Sequence, residues 1–189
     1  MGKIISFMHV SLDGFVAGVG GEMNWIKVNQ EIFDFVGKRI SKTNTAFYGK
    51  TTFEMMESYW PTAADKPNAS KHDIEHAEWY KQVNKVVLST TLRQENYGLT
   101  TIIGNNIELE VNKIKQQSDK EILVFGSPKT THALLELGLI DGFWLFVNPI
   151  VLGNGIPLFK NVKDKLLLHL ISTKYFDNGV VELNYLVDK

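Results

Sequence analysis

Ala46-Phe47-Tyr48-Gly49-Lys50-Thr51-Thr52-Phe53-Glu54 is the stretch on which the reading of the whole chain turns. A short apolar run stops at Gly49, and Lys50, Thr51 and Thr52 open a helical pattern. Strand, glycine, then amine and hydroxyl side chains is an order that builds a seat for an anion. The first N–H groups of a helix lack internal partners and lie at the positive end of its dipole. Gly49 lets a phosphate approach the backbone, and Lys50 adds a full positive charge. A Thr at such a turn is also an ordinary N-cap, so the anion reading depends on finding further turns of this kind.

Outward from this turn, strands and helices alternate. Residues 4–10 read as a first strand, followed by the turn Ser11-Leu12-Asp13-Gly14, the run Phe15-Val16-Ala17 and the glycine-rich residues 18–21. Those glycines do not follow G-x-G-x-x-G spacing and open no helix, so they mark a mobile loop rather than a dinucleotide fingerprint. Ile32, Phe33, Val36 and Ile40 recur at helical spacing. The helix after Gly49 is predicted to end at Tyr59-Trp60-Pro61, and residues 62–70 read as a surface loop. A charged helix over about residues 73–82 leads to a strand at 85–88 and the turn Ser89-Thr90-Thr91. A strand at 100–103 and a helix striped by Ile107, Val111 and Ile114 follow. Residues 122–125 form a buried strand stopped by Gly126-Ser127-Pro128, and the helix that Pro128 opens closes at Gly138. A strand at 143–150 precedes two long strands, 166–176 and 180–187, joined about Asp177-Asn178-Gly179. The pattern predicts one α/β domain over residues 1–189. Its class is a three-layer sandwich, with a mostly parallel central sheet and a C-terminal antiparallel hairpin.

Composition narrows the function. With 20 basic against 21 acidic residues, net −1, and no dense basic run, nucleic acid and anionic membranes are excluded as main partners. The absence of cysteine rules out disulfides, thiol catalysis and thiolate metal sites. No signal-like N-terminus and no window approaching a membrane span is present, so a cytoplasmic protein is expected. A chain of this length buries roughly 70% of its unfolded surface, enough for a large core.

Open α/β sheets bind ligands beyond the carboxyl ends of their strands. Four such ends are Val10 to Asp13, Tyr48 to Thr52, Leu88 to Thr91 and Phe125 to Thr130. Three of them are Gly, Ser and Thr turns, two open helices, and two carry a lysine. Together they suit a pyrophosphate and a further phosphate.

The chain resembles the dihydrofolate reductase-like fold. Within that fold it is similar to the reductase domain of the bifunctional riboflavin-biosynthesis deaminase–reductase and its stand-alone relatives. The resemblance is carried by Ser11-Leu12-Asp13-Gly14-Phe15-Val16-Ala17, Tyr48-Gly49-Lys50-Thr51-Thr52-Phe53-Glu54, Leu88-Ser89-Thr90-Thr91-Leu92 and Val124-Phe125-Gly126-Ser127. It continues through Gly138-Leu139-Ile140-Asp141 and, most specifically, Pro149-Ile150-Val151-Leu152-Gly153-Asn154-Gly155-Ile156-Pro157-Leu158-Phe159. It implies an NADPH-dependent oxidoreductase acting on a small-molecule substrate of the pterin or pyrimidine kind, or on a carbonyl or imine. By the same resemblance Gly49, Lys50, Thr51 and Thr52 meet the cofactor phosphates, and Ser89 and Thr90 the 2′-phosphate side. Gly126 and Ser127 face the pyrophosphate, and Val16, Ala17 and Gly18 lie by the nicotinamide. The relatives' habit of pairing, with the apolar run Phe143-Trp144-Leu145-Phe146, implies a homodimer.

The chain departs from the family pattern at four places. Lys50 stands where Arg is common, Ser127 where a second Gly is usual, and Gly142 where an acidic residue follows Asp141. Aligning Trp25 with the loop tryptophan of dihydrofolate reductases puts Gln30 where the pterin-protonating carboxylate belongs, which disfavours dihydrofolate. A catalytically silent nucleotide- or pteridine-binding module is therefore the rival reading. Asp13 is the acidic side chain placed at the substrate pocket, for orientation or proton relay, and an Asp-Gly turn is its simpler explanation. Trp25 could wall a flat heterocycle. His9 reads as a packed strand residue. His72-Asp73-Ile74-Glu75-His76 matches H-x-x-E-H, for which a solvated helix face is the simpler reading, and no metal is assigned.

Overall fold

The computed structural model describes residues 1–93 and 97–188. The elements are β1 (Ile4–Ser11), β2 (Phe15–Ala17), α1 (Gln30–Ile40), β3 (Thr45–Gly49), α2 (Lys50–Ala63), α3 (Lys71–Gln82), β4 (Asn84–Leu88) and β5 (Thr100–Ile103). They continue with α4 (Ile107–Gln117), β6 (Ile122–Phe125), α5 (Pro128–Glu136), β7 (Gly142–Asn148), β8 (Ile156–Pro157), β9 (Leu168–Tyr175) and β10 (Val181–Val187). Eight strands form one sheet in the order β5-β4-β3-β6-β1-β7-β10-β9, and β2 pairs with β8 apart from it. From β5 to β7 all neighbours are parallel; β10 is antiparallel to both β7 and β9. This is the predicted mostly parallel sheet closed by an antiparallel hairpin.

Strand alternation divides the core in two. Ile4, Met8 and Val10 face Val111 of α4 and Leu134 of α5, whereas Ile5 faces Ile32, Val36 and Ile40 of α1 and Tyr80 of α3. The central strands are buried on both faces, which is why 122–125 reads as an unbroken apolar run. The α5 helix ends in a Schellman motif: Leu139 N–H donates to Leu134 O at 2.9 Å, Gly138 N–H to Leu135 O at 3.0 Å, with Gly138 left-handed.

Three sequence expectations need correction. The α2 helix runs through Pro61 to Ala63: the proline forfeits only its own N–H bond to the Glu57 carbonyl, and the helix ends two residues later. The strand β9 starts at Leu168, two residues later than the apolar pattern suggests. Phe143-Trp144-Leu145-Phe146 is no surplus surface: all four are buried, split between the two cores of the central strand β7.

Gly142 has a packing reason. A Cβ there would run into the Tyr185 carbonyl and come within 2.9 Å of the Ile5 side chain, so no acidic residue fits. Its neighbour Asp141 takes the Ile4 N–H at 2.8 Å and the buried Lys115 ammonium at 2.5 Å, bracing α4 against the start of β1. Among the described residues no helix is long and apolar enough to cross a membrane.

Candidate functional site

The parallel register puts the predicted turns on one edge. Gly49 is level with Leu88, and Leu88 with Ile103, while Phe47 pairs with Val124 just before Gly126. The starts of α2 and α5 differ from the other helix starts. Asn29 caps α1 and Ser70 caps α3 through their side chains, and α4, without a side-chain cap, carries Glu108 and Glu110 in its first turn, whereas α2 and α5 have no side-chain cap. Nor does either carry an acidic residue in its first turn; Lys50 and Lys129 stand there instead. Both helix starts thus keep N–H groups and dipole for an anion.

The two starts are interlocked. Gly49 N–H donates to Ser127 Oγ at 2.7 Å, and Ser127 Oγ donates to Thr130 Oγ1 at 3.0 Å. A Cβ on Gly49 would collide with Ser127 Oγ and lie 2.8 Å from Thr130 Oγ1. Gly49 therefore serves by lacking a side chain; its N–H already has a partner. Gly126 and Ser127 are both left-handed, φ +53° and +55°. For Ser127 that conformation costs about 1–2 kcal/mol, which its two hydroxyl bonds offset. At Gly126 the nearest atom to a built Cβ is Thr52 Cγ2 at 3.7 Å, so Thr52 lies beside this turn. The Lys50 ammonium lies 3.8 Å from Glu54, both side chains well exposed, a pairing too weak to withhold it from a ligand.

The remaining predicted residues are placed as follows. Ser89 Oγ accepts N–H groups from Thr91 at 3.2 Å and Leu92 at 3.0 Å, leaving its proton to donate, and Thr90 is exposed. Val16 and Ala17 are buried where β2 meets β8, and Gly155 packs so tightly on the Ala17 carbonyl that no side chain fits. Any contribution from Val16 and Ala17 is thus through their backbone. Gly18 N–H donates to Glu22 O at 2.9 Å, Gly20 N–H to Glu22 Oε2 at 3.0 Å, and the Trp25 indole to Glu22 O at 3.0 Å. The glycine loop is thereby folded around Glu22, with Trp25 half-exposed beside it.

Asp13 is exposed and acts as a clamp. Its carboxylate takes the Ser11 hydroxyl at 2.6 Å and the N–H groups of Leu152 at 3.1 Å and Gly153 at 2.8 Å. These bonds, Ser11 first, hold its carboxyl below the usual carboxylate range. That suits a positioning role and opposes proton donation.

Two further residues belong to this edge. Asn148, fully buried at the end of β7, accepts the Lys27 N–H at 2.8 Å and donates to Phe146 O at 3.0 Å. It also contacts His9 Nδ1 at 3.4 Å. The signal for Asn148 was its place at the carboxyl end of a parallel strand, just before Pro149. Gln30 Nε2 donates to Asp34 at 3.0 Å and Glu31 pairs with Lys174 at 2.8 Å, so both are committed along the outer side of α1.

His72 and His76 lie elsewhere. His72 stacks on Phe33 at 4.0 Å and His76 lies against Trp60 at 4.0 Å, both beside a cavity of about 550 Å³ between α1 and α3. That cavity shares no residue with the strand-end turns. Among the described residues no cluster of three His, Asp or Glu could hold a metal.

Burial holds the imidazoles of His9 and His76 well below their ordinary range, to about 4 and about 3. Both values lie below the unfolded 6.5, so the native state binds fewer protons than the unfolded chain in that window. Their contribution is complete above pH 6.5 and lost as pH falls, by up to about 1.4 kcal/mol per pH unit for each ring. Glu182, raised by burial despite its Trp144 bond, opposes this in part. Urea midpoints are expected to drop from pH 7 to pH 5, and His76→Phe to flatten that slope. An unchanged slope would remove His76 as a cause.

Known proteins extend the comparison. The Bacillus subtilis protein YyaP is 34% identical over 188 residues, 97% of this chain and 94% of YyaP. A Shewanella sp. PV-4 protein assigned to riboflavin biosynthesis superposes with a TM-score of 0.73 at 20% identity, over 99% of both chains. Enterococcus faecalis dihydrofolate reductase, solved with NADP(H) and RAB-propyl, gives 0.64 at 12% identity, over 99% of this chain and 97% of that one. At such identities the two structures bear on fold, which they share with this chain. The sequence profile of the RibD C-terminal domain matches residues 2–182, and the chain belongs to that family of reductase-type domains.

Proposed function

We propose that the protein is a cytoplasmic NADPH-dependent reductase that delivers a hydride to a small pterin- or pyrimidine-like heterocycle, or to a carbonyl or imine. The observation that carries this reading is the pair of uncapped, acid-free helix starts interlocked through Gly49 and Ser127 at one sheet edge. The residues fit the cofactor: Gly126 leaves room for a close approach with Thr52 beside it, and Lys50, Thr51 and Thr52 form the open first turn of α2. Ser89 and Thr90 stand at the adjoining strand end for a 2′-phosphate. The backbone of Val16, Ala17 and Gly18 would border the nicotinamide. NADPH, when bound, supplies the hydride. The chain's own part is to orient substrate with Asp13, Trp25 and the loop around Glu22, and to exclude bulk solvent while leaving access for one water as the final proton donor.

Fluorescence titration with NADPH and NADH tests the cofactor. Saturable binding that favours NADPH is expected, and Lys50→Ala should weaken it by about 1–3 kcal/mol if the amine makes a charge-assisted phosphate bond. No saturable binding of either nucleotide would sink the reading.

The outward commitment of Gln30 and Glu31 favours a second reading, a nucleotide- or pteridine-binding module without turnover. Assaying NADPH oxidation against pteridines, pyrimidines and small carbonyls separates the two. Tight binding with no oxidation supports the module.

A homodimer remains part of the proposal on different grounds from the buried β7 run. The edge strand β9 and its approach expose Leu167, Leu170, Ile171 and Tyr175. Light scattering at micromolar concentration should give about twice the 21.4 kDa chain mass. A mass of one chain would count against it.

A further inference from the structure

We infer that His9 is a substrate-positioning residue: a neutral imidazole, locked with its proton on Nε2, that donates to a carbonyl oxygen of the heterocycle. This rests on the proposed reading of the strand ends around Asp13 as the substrate site. The lock follows from hydrogen-bond logic. Lys27 N–H can only donate, so the Asn148 atom it meets at 2.8 Å is the amide oxygen. Phe146 O can only accept, so the atom it meets at 3.0 Å is the amide nitrogen. The amide of Asn148 thus has one possible orientation. Its nitrogen, with a second hydrogen shared between Val10 O at 3.5 Å and His9 Nδ1 at 3.4 Å, faces the imidazole. An NH₂ group offers no lone pair, so Nδ1 must accept and the ring proton must sit on Nε2.

The surroundings keep the ring in this form. Phe146 lies beside one face at 5.1 Å and 30°, and Phe7 is 6.2 Å away, so a charged imidazolium has little solvent to balance it. The lowered proton affinity agrees with this picture. His9 nevertheless stays partly exposed, and its hydrogen-bond contact among the described residues, with Asn148, is through Nδ1, not Nε2. It lies two residues before the end of β1, on the sheet face that carries α1. A neutral donor there recognises a lactam-type C=O and rejects an amino group at the same ring position, because two donors would then face each other. The ligand class is therefore an oxo-heterocycle rather than a diamino one.

The test compares pterin, which carries an oxygen on ring carbon 4, with 2,4-diaminopteridine, which carries an amino group there. Fluorescence titration of the NADPH-saturated protein should show pterin binding at least about tenfold tighter. His9→Phe, which keeps the stack on Phe146, should abolish that preference and leave the NADPH titration unchanged. His9→Gln, which restores an N–H donor, should recover part of it. In parallel, ¹⁵N NMR of the wild-type imidazoles at pH 7 should find Nε2 of His9 protonated and Nδ1 bare. A proton on Nδ1, or a preference that survives in His9→Phe, overturns the inference. NADPH binding with neither pteridine bound overturns the ligand class while sparing the cofactor reading. Failure of NADPH to bind overturns that reading instead, and the NMR result still decides the tautomer.

Discussion

Replacing Asp141 by Ala should destabilise the protein by about 3–5 kcal/mol, the usual cost of leaving a buried charge without its partner. Lys115 is almost wholly buried, 3% exposed at its side chain, and its ammonium reaches Asp141 at 2.5 Å and Leu139 O at 3.2 Å. Asp141 also takes the Ile4 N–H at the start of the central strand. The variant therefore strands an ammonium in the apolar layer under α4 and frees a backbone donor. Urea unfolding should show a midpoint lower by about 1–2 M at an unchanged slope. Adding Lys115→Met should restore much of the loss, since the unpaired cation is the larger cost. A single variant within about 1 kcal/mol of wild type would refute this account.

Gly49→Ala is expected to weaken NADPH binding at least tenfold, a loss of about 1.4 kcal/mol or more, with the fold retained. The added Cβ collides with Ser127 Oγ and stands 2.8 Å from Thr130 Oγ1. Ser127 must turn away, and the Gly49 N–H then loses its acceptor while the left-handed Ser127 loses the bonds that offset its strain. The starts of α2 and α5 shift apart, and the two anion seats no longer converge. Ser127→Gly in the same chain removes the colliding atom and should return part of the affinity. Wild-type affinity in Gly49→Ala would show that the interlock does not shape the cofactor site.

Strand–glycine–lysine–threonine at Ala46–Thr52, the apolar run at 122–125 and the Asp-Asn-Gly hairpin were sufficient for the fold class. Each is a local pattern whose period or turn chemistry allows few alternatives. The turns that could hold phosphates were legible for the same reason: a parallel sheet brings every strand's carboxyl end to one edge. What a pattern cannot contain is which groups are already taken. Gly49's N–H is held by Ser127, 78 residues on, and Asp13's oxygens by Leu152 and Gly153, about 140 residues on. Burial of Phe143 to Phe146 likewise depends on β7 lying between β1 and β10, a neighbour relation that hydropathy does not encode. Asn148 and His9 acquire their donor and acceptor roles only because parallel pairing sets Phe146 beside His9 and Asn148 beside Ser11. The sequence determined where the chain turns and what chemistry each turn carries; the tertiary structure decided which hydrogen bonds are spent on the fold and which remain for a ligand, because those partners are distant in sequence and meet only after the sheet is assembled.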